Sequence, residues 1–161
     1  MTAHPAGRGI ALRPARPTDA PFFAALYAST RQEELAVTGW PQAQVDAFLA
    51  SQFDLQSAHY AAHYADAAFS VVEDDGERIG RLIVSTGPDE VRIVDVALVA
   101  AVRGRGIGSG LIRGVLAAAA GRRVTIHVEA LNPAMRLYER LGFRPVEADG
   151  VYWRMEAHPE E

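Results

Sequence analysis

The 161-residue chain contains neither cysteine nor lysine. Without cysteine it forms no disulfide and no thiolate metal site, and it has no cysteine nucleophile. Without lysine it lacks the ammonium group that a P-loop sets against nucleotide phosphates. No apolar run approaches the roughly 20 residues of a membrane helix, and the first residues lack the apolar core of a signal peptide. A net charge of −4 argues against nucleic acid as partner. These absences lead us to expect a cytoplasmic protein with no metal, no nucleic-acid partner and no membrane contact.

Half the residues are hydrophobic and under a quarter are charged, the composition of a globular chain large enough for its own core. A single domain is expected over residues 9–157, between a frayed glycine- and proline-bearing stretch at 1–8 and a short tail at 158–161. Ile10–Arg13 reads as a strand ended by Pro14 and Pro17. Thr18 is a candidate helix N-cap, with Phe22, Leu26 and Thr30 at helical spacing. A second helix begins near Pro41. Its stripe of Val45, Phe48, Leu49, Gln52, Gln56, His59, Tyr60 and His63 starts apolar and ends in amides and imidazoles. Such groups are either hydrogen-bonded internally or face a cavity.

From Phe69 the period changes from helix to strand. Phe69–Glu73 and Arg78–Ser85 flank the turn Asp74-Asp75-Gly76 as a hairpin, and Glu90–Val99 follows a second turn. A helix-like run from Leu111 to Ala120 stops at Gly121. Arg123–Val128 is a strand, Asn132-Pro133 opens a short helix stopped by Gly142, and Phe143–Glu147 and Val151–Glu156 close the chain. The order is β-α-α-β-β-β-α-β-α-β-β. This is an α/β (α+β) fold, with a mixed, mostly antiparallel sheet of about seven strands flanked by about four helices.

The stretch Val102–Leu111 organises the chain, with glycines at 104, 106, 108 and 110 between a strand and a helix start. Glycines let the backbone approach an anion, and the first turn of a helix has N–H groups without internal partners. Five arginines and no acid lie between Val96 and Val128, which suits a polyanionic small ligand. The dinucleotide fingerprint G-x-G-x-x-G fails from Gly104 at Ser109 and from Gly106 at Leu111. What remains is Arg103-x-x-Gly106-x-Gly108.

That pattern resembles the GCN5-related N-acetyltransferase (GNAT) superfamily, whose signature is Q/R-x-x-G-x-G/A between the fourth strand and the third helix. Asn132-Pro133-Ala134, Leu137-Tyr138-Glu139 and Leu141-Gly142-Phe143 are similar to its second half. Leu12-Arg13-Pro14-Ala15 and Thr18-Asp19-Ala20 are similar to its opening. The resemblance implies acetyl-CoA as acyl donor. Arg103, Gly104, Arg105, Gly106, Ile107, Gly108 and Ser109 would hold the pyrophosphate, and Val96, Ala97 and Leu98 would border the pantetheine where the fourth and fifth strands splay. It gives the Leu98 N–H to the thioester oxygen, Asn132 to the pantetheine arm and Tyr138 to the leaving thiolate as acid. It also admits a homodimer.

The implied reaction is attack by an amine on the thioester, for which Asp95, Glu129, His127, His59, His63 and Glu34 are candidate bases, with ordered water as the alternative. Glu33, Glu34, Trp40, Gln52, Gln56, His59, Tyr60 and the Tyr152-Trp153 hairpin lie where this superfamily builds its acceptor site. The acceptor is a small-molecule amine or a peptide or protein amine. A second expectation, from a different class, is a non-catalytic acyl-CoA-binding module.

Overall fold

A computed structural model describes residues 2–3, 9–130 and 132–159. In chain order the elements are β1 (Thr2–Ala3), β2 (Ile10–Pro14), α1 (Ala20–Ala36), α2 (Gln42–His63), β3 (Ala68–Asp74), β4 (Glu77–Thr86), β5 (Glu90–Leu98), α3 (Ile107–Ala118), β6 (Arg123–Glu129), α4 (Ala134–Arg140), β7 (Arg144–Asp149) and β8 (Tyr152–Ala157). All strands share one sheet in the order β1-β2-β3-β4-β5-β6-β8-β7. Every neighbouring pair is antiparallel except β5–β6. The mixed, mostly antiparallel architecture expected of the sequence is thus present, with the two-residue β1 bringing the strands to eight. Of the stretch expected to fray, Thr2–Ala3 pairs with Ala11 and Leu12, and the remainder lies outside the described residues.

Leu82 on β4 packs into the main core with Ile107, Leu111, Ile112 and Val115 of α3. Its neighbour Arg81 points the other way, against Phe23 of α1 and Gln56 of α2. Successive strand residues face opposite sides, so α1–α2 and α3 cover opposite faces of the sheet. The main core fills the α3 side, where Ile93, Val124, Ile126, Phe143 and Met155 are buried. A smaller cluster of Leu35, Val45 and Leu49 joins α1 to α2.

Asp19, not Thr18, organises the entry to α1. Its carboxylate accepts the Arg16 N–H at 2.8 Å and both Nη atoms of Arg13 at 2.9 and 2.8 Å. Arg13 also reaches Glu73 at 2.7 Å, tying β2, β3 and the start of α1 together. Asp19 is 1 % exposed. The hydrogen bonds from Arg13 outweigh its burial and hold its carboxyl far below the usual aspartate range.

Candidate active site

β5 and β6 run side by side only from Glu90–Arg123 to Ile93–Ile126. Beyond that register β5 continues to Leu98 against β4, and β6 continues to Glu129 against β8. The two strands therefore open into a wedge. Val94 contributes to it as the extra residue of a β-bulge, since Ile83 faces Asp95 while Val84 faces Ile93. The bulge turns Val96 and Leu98 toward the α3 core and leaves Asp95 on the α1–α2 side.

The backbone of the wedge follows from the ladder. Antiparallel pairs alternate between hydrogen-bonded and non-bonded. The Val99 N–H donates to the Ile79 carbonyl at 2.8 Å, so Gly80–Leu98 and Leu82–Val96 are non-bonded pairs. The N–H and C=O of Val96 and Leu98 consequently point away from β4, toward the wedge. The Leu98 carbonyl accepts Nε and Nη2 of Arg103 at 3.2 and 3.0 Å. Arg103 thus clamps the strand end to the loop that follows, a different task from reaching a phosphate with its side chain. Its own N–H donates to Ala100.

That loop enters its helix earlier than the hydrophobic run suggests, at Ile107 rather than Leu111. Gly104 and Gly106 have φ of +78° and +79°, left-handed backbone that glycine adopts without strain. Gly106 is the N-cap, and the first α3 bond runs from the Gly110 N–H to its carbonyl. The N–H groups of Ile107, Gly108 and Ser109 are left without helical partners, at the positive end of the helix dipole. No acid stands in that first turn. Gly108 has ordinary helical φ, and an added Cβ would meet only Leu98 Cδ1 at 3.7 Å. The fold does not demand glycine there, and the absence of a side chain leaves the helix start clear. Free N–H groups, clearance and exposed arginines such as Arg105 fit a pyrophosphate.

A cavity of about 420 Å³ occupies the wedge. Val94–Ala97 and Ile126–Glu129 form its strand walls, α1 contributes Phe23, Tyr27 and Glu34, and Asn132, Tyr138 and Tyr152 close the far side. Tyr138 is buried, with its ring edge-on to Phe143 at 6.1 Å. Burial, then the charge of Asp95, pushes its phenol above the usual tyrosine value. His127 is drawn below the usual imidazole value by burial and then by Arg92. Asn132 accepts the Ala134 N–H at 2.9 Å on Oδ1, a helix-capping bond. Glu129 makes no ion pair among the described residues.

Arg81, which sequence reasoning missed, stands at the floor of this cavity. It is 6 % exposed, ion-paired with Asp95, and donates from Nη2 to Gln56 Oε1 at 3.0 Å. Its guanidinium lies 5.1 Å from the Phe23 ring and 5.8 Å from the Tyr60 ring. The available signal was a charge inside the apolar strand run Ile79–Val84.

The acceptor candidates divide. Gln56, Glu34 and Tyr152 border the cavity. Glu33 does not: it is exposed, one helical step off the face that carries Tyr27, Thr30 and Glu34 inward. Trp40 does not either, because it sits at the tip of the α1–α2 hairpin, edge-on to Phe48. Tyr60 stacks on the far side of Arg81 and faces a neighbouring cleft with Phe53 and Phe69. His59 and His63 are exposed and stack on each other at 4.3 Å, since α2 turns Phe53 inward instead.

A family model described as Acetyltransferase (GNAT) family matches residues 25–143. Mycothiol acetyltransferase of Corynebacterium glutamicum is 37 % identical over 103 residues, covering 61 % of this chain and 35 % of that protein. The chain thus spans about a third of the length of the curated relatives it matches. PaiA N-acetyltransferase from Thermoplasma acidophilum, solved in complex with coenzyme A, superposes with a TM-score of 0.67 at 14 % identity, over 92 % of this chain and 98 % of that one. An acetyltransferase from Thermus thermophilus gives 0.66 at 21 % identity, over 94 % and 97 %.

Proposed function

The chain belongs to the Acetyltransferase (GNAT) family, and from that premise we propose that it is an N-acetyltransferase moving an acetyl group from acetyl-CoA to a primary amine by direct attack. The observation that carries this reading is the β5–β6 wedge, which contains a polar cavity and whose β5 wall ends at Leu98, beside Gly108 at the bare N-terminus of α3. Acetyl-CoA, when bound, supplies an activated acyl group as a thioester. The N–H groups of Ile107, Gly108 and Ser109, with Gly104, Arg105 and Gly106 around them, hold the pyrophosphate. Arg103 keeps that loop in register with the strand. Val96, Ala97 and Leu98 present main-chain groups to the pantetheine, and Asn132 meets the same arm with the amide nitrogen that its capping bond leaves over.

The Leu98 N–H stabilises negative charge as it develops on the acyl oxygen. Tyr138, like any tyrosine, is protonated at neutral pH, and burial pushes its phenol further up, so it arrives at the reaction as a proton donor for the departing thiolate. The amine enters between α1 and β5–β6, where Glu34, Gln56 and Asp95 offer acceptors for its N–H groups. Asp95 is bound to Arg81, which leaves Glu129 as the cavity carboxylate without an ion pair among the described residues. Glu129, or His127 in its neutral form, takes up the ammonium proton directly or through water. The test is thiol release from acetyl-CoA over a panel of amines. Amine-dependent release supports transfer, whereas coenzyme A binding without release from any amine would make the chain an acyl-CoA-binding module instead.

A further inference from the structure

Arg81 is the costliest side chain in the cavity wall. A guanidinium inside a strand is kept only if its donors find acceptors, and this one does not find enough. Its Nη2 serves both Asp95 and Gln56, while Nε is buried without any partner. Nη1 has no hydrogen bond among the described residues either, and Arg81 borders both the cavity and the adjoining cleft. Phe23 and Tyr60 at 5.1 and 5.8 Å hold the guanidinium in position. Nη1 is therefore the donor to spare, held in place and not sealed off as Nε is. A charged N–H donor in a fixed position suits a carboxylate.

The second cation of the cavity is already committed. Arg31 donates to Glu34 at 2.9 Å and to the Tyr27 hydroxyl at 2.7 Å. Arg81 alone combines burial with unused donors, and beside it Asp95 offers a negative group. A positive and a negative group side by side complement a ligand that carries both charges close together.

Resting on the transferase reading above, we propose that the acceptor is a zwitterion: an amine whose molecule also carries a carboxylate within a few bonds, as in an amino acid. Arg81 takes the carboxylate and the Asp95 side takes the ammonium group. The amine reacts only after losing its proton, and the new amide bond forms as the thioester C–S bond breaks, with the thiolate taking a proton to leave as free thiol. Arg81 takes no part in that exchange; it sets which amines are held.

The experiment compares three arms in the thiol-release assay with the full chain: amino acids of several side-chain types, the corresponding amino acid amides, and the amines lacking the carboxyl carbon. The expected result is a kcat/KM at least tenfold higher for amino acids than for their amides and bare amines. In Arg81→Met that ratio should collapse to about one. Arg81→Lys keeps the charge opposite Asp95 and so protects the fold, and it should give an intermediate ratio because a single ammonium cannot bond Asp95 and also place a fixed donor where Nη1 stands. Coenzyme A affinity by calorimetry reports that each variant is folded. Amides or bare amines turned over as well as amino acids, or a ratio unmoved by both substitutions, would overturn the proposal while leaving the transferase reading intact. No release in any arm removes the transferase reading and this inference with it.

Discussion

Replacing Gly108 by glutamate should stabilise the free protein and abolish coenzyme A binding in the same variant. Gly108 is the second residue of α3, its φ is not in the left-handed region, and a Cβ there has only Leu98 Cδ1 within ordinary contact at 3.7 Å. Exchanging a helical glycine for a good helix former is worth about 0.5 kcal/mol. A carboxylate in a first turn that contains no acid adds roughly 0.3–1 kcal/mol through the helix dipole. The sum, about 1 kcal/mol, corresponds to a rise in Tm of roughly 2–4 °C for a chain of this size. The same carboxylate would stand where the proposed function puts the pyrophosphate. Two like charges about 4 Å apart at an effective dielectric near 20 repel by about 4 kcal/mol, a loss of about two to three orders of magnitude in affinity. Calorimetric titration with coenzyme A and a thermal melt of the free chain read the two effects separately. A Kd within threefold of the parent in a variant with raised Tm would refute the assignment of the α3 N-terminus as the pyrophosphate site. Gly106→Glu provides the contrast. It should lose binding equally, but its φ of +79° makes a side chain cost about 1–2 kcal/mol, so its Tm should fall.

Tyr138→Phe should lower kcat with the true acceptor by about 10²-fold, with little change in KM for acetyl-CoA; an unchanged maximal rate excludes the acid role. Because burial raises the Tyr138 phenol, the parent should show no loss of this donor from neutral pH up to the ordinary tyrosine value. Asp19→Asn should cost about 2 kcal/mol at pH 7, since it removes charge-assisted hydrogen bonds from Arg13 and leaves Glu73 as its one buried anionic partner. The folded-state pKa of Asp19 is depressed, so its stabilisation is complete above the ordinary aspartate value of about 3.9 and is lost as pH falls below it. Denaturant midpoints of parent and variant should therefore converge below that pH, and a constant gap down to acid would show that the ion pair is not the cause. Gly80→Ala places a Cβ 2.4 Å from the Ala97 carbonyl oxygen and 2.7 Å from Leu98 Cδ2. It should cost about 2 kcal/mol in chemical unfolding and raise KM for acetyl-CoA by displacing the end of β5.

The positions of the helices and strands were legible because they depend on short-range pattern. Alternation marked β3 to β5, the 3.6-residue period marked α1 and α2, and Asn132 before Pro133 announced the cap that its side chain makes to Ala134. The glycine spacing around Gly106 pointed to an anion-binding helix start through local backbone geometry alone. Errors fell where a residue's partner is distant in the chain. Thr18 looked like the cap, but Arg13, which Glu73 of β3 holds in place, recruits Asp19. His59 and His63 belonged to the inward stripe by period, yet the roll of α2 that sets Phe53 against Tyr27 of α1 turns them outward. Glu33 and Trp40 were separated from the cavity by the angle and length of α1.

The donor side of the proposed reaction was legible in chain order alone: a strand, a run of glycines and a helix start bring unpartnered backbone N–H groups together, as a pyrophosphate would need. The acceptor side was decided by tertiary structure. The wedge exists because pairing between β5 and β6 stops at Ile93 and Ile126, thirty-three residues apart in sequence. The bulge at Val94 then rotates Asp95 toward Arg81, which only the β4–β5 register brings within reach. Cross-strand pairing and the placement of a helix over a sheet are long-range events, so no local pattern records them.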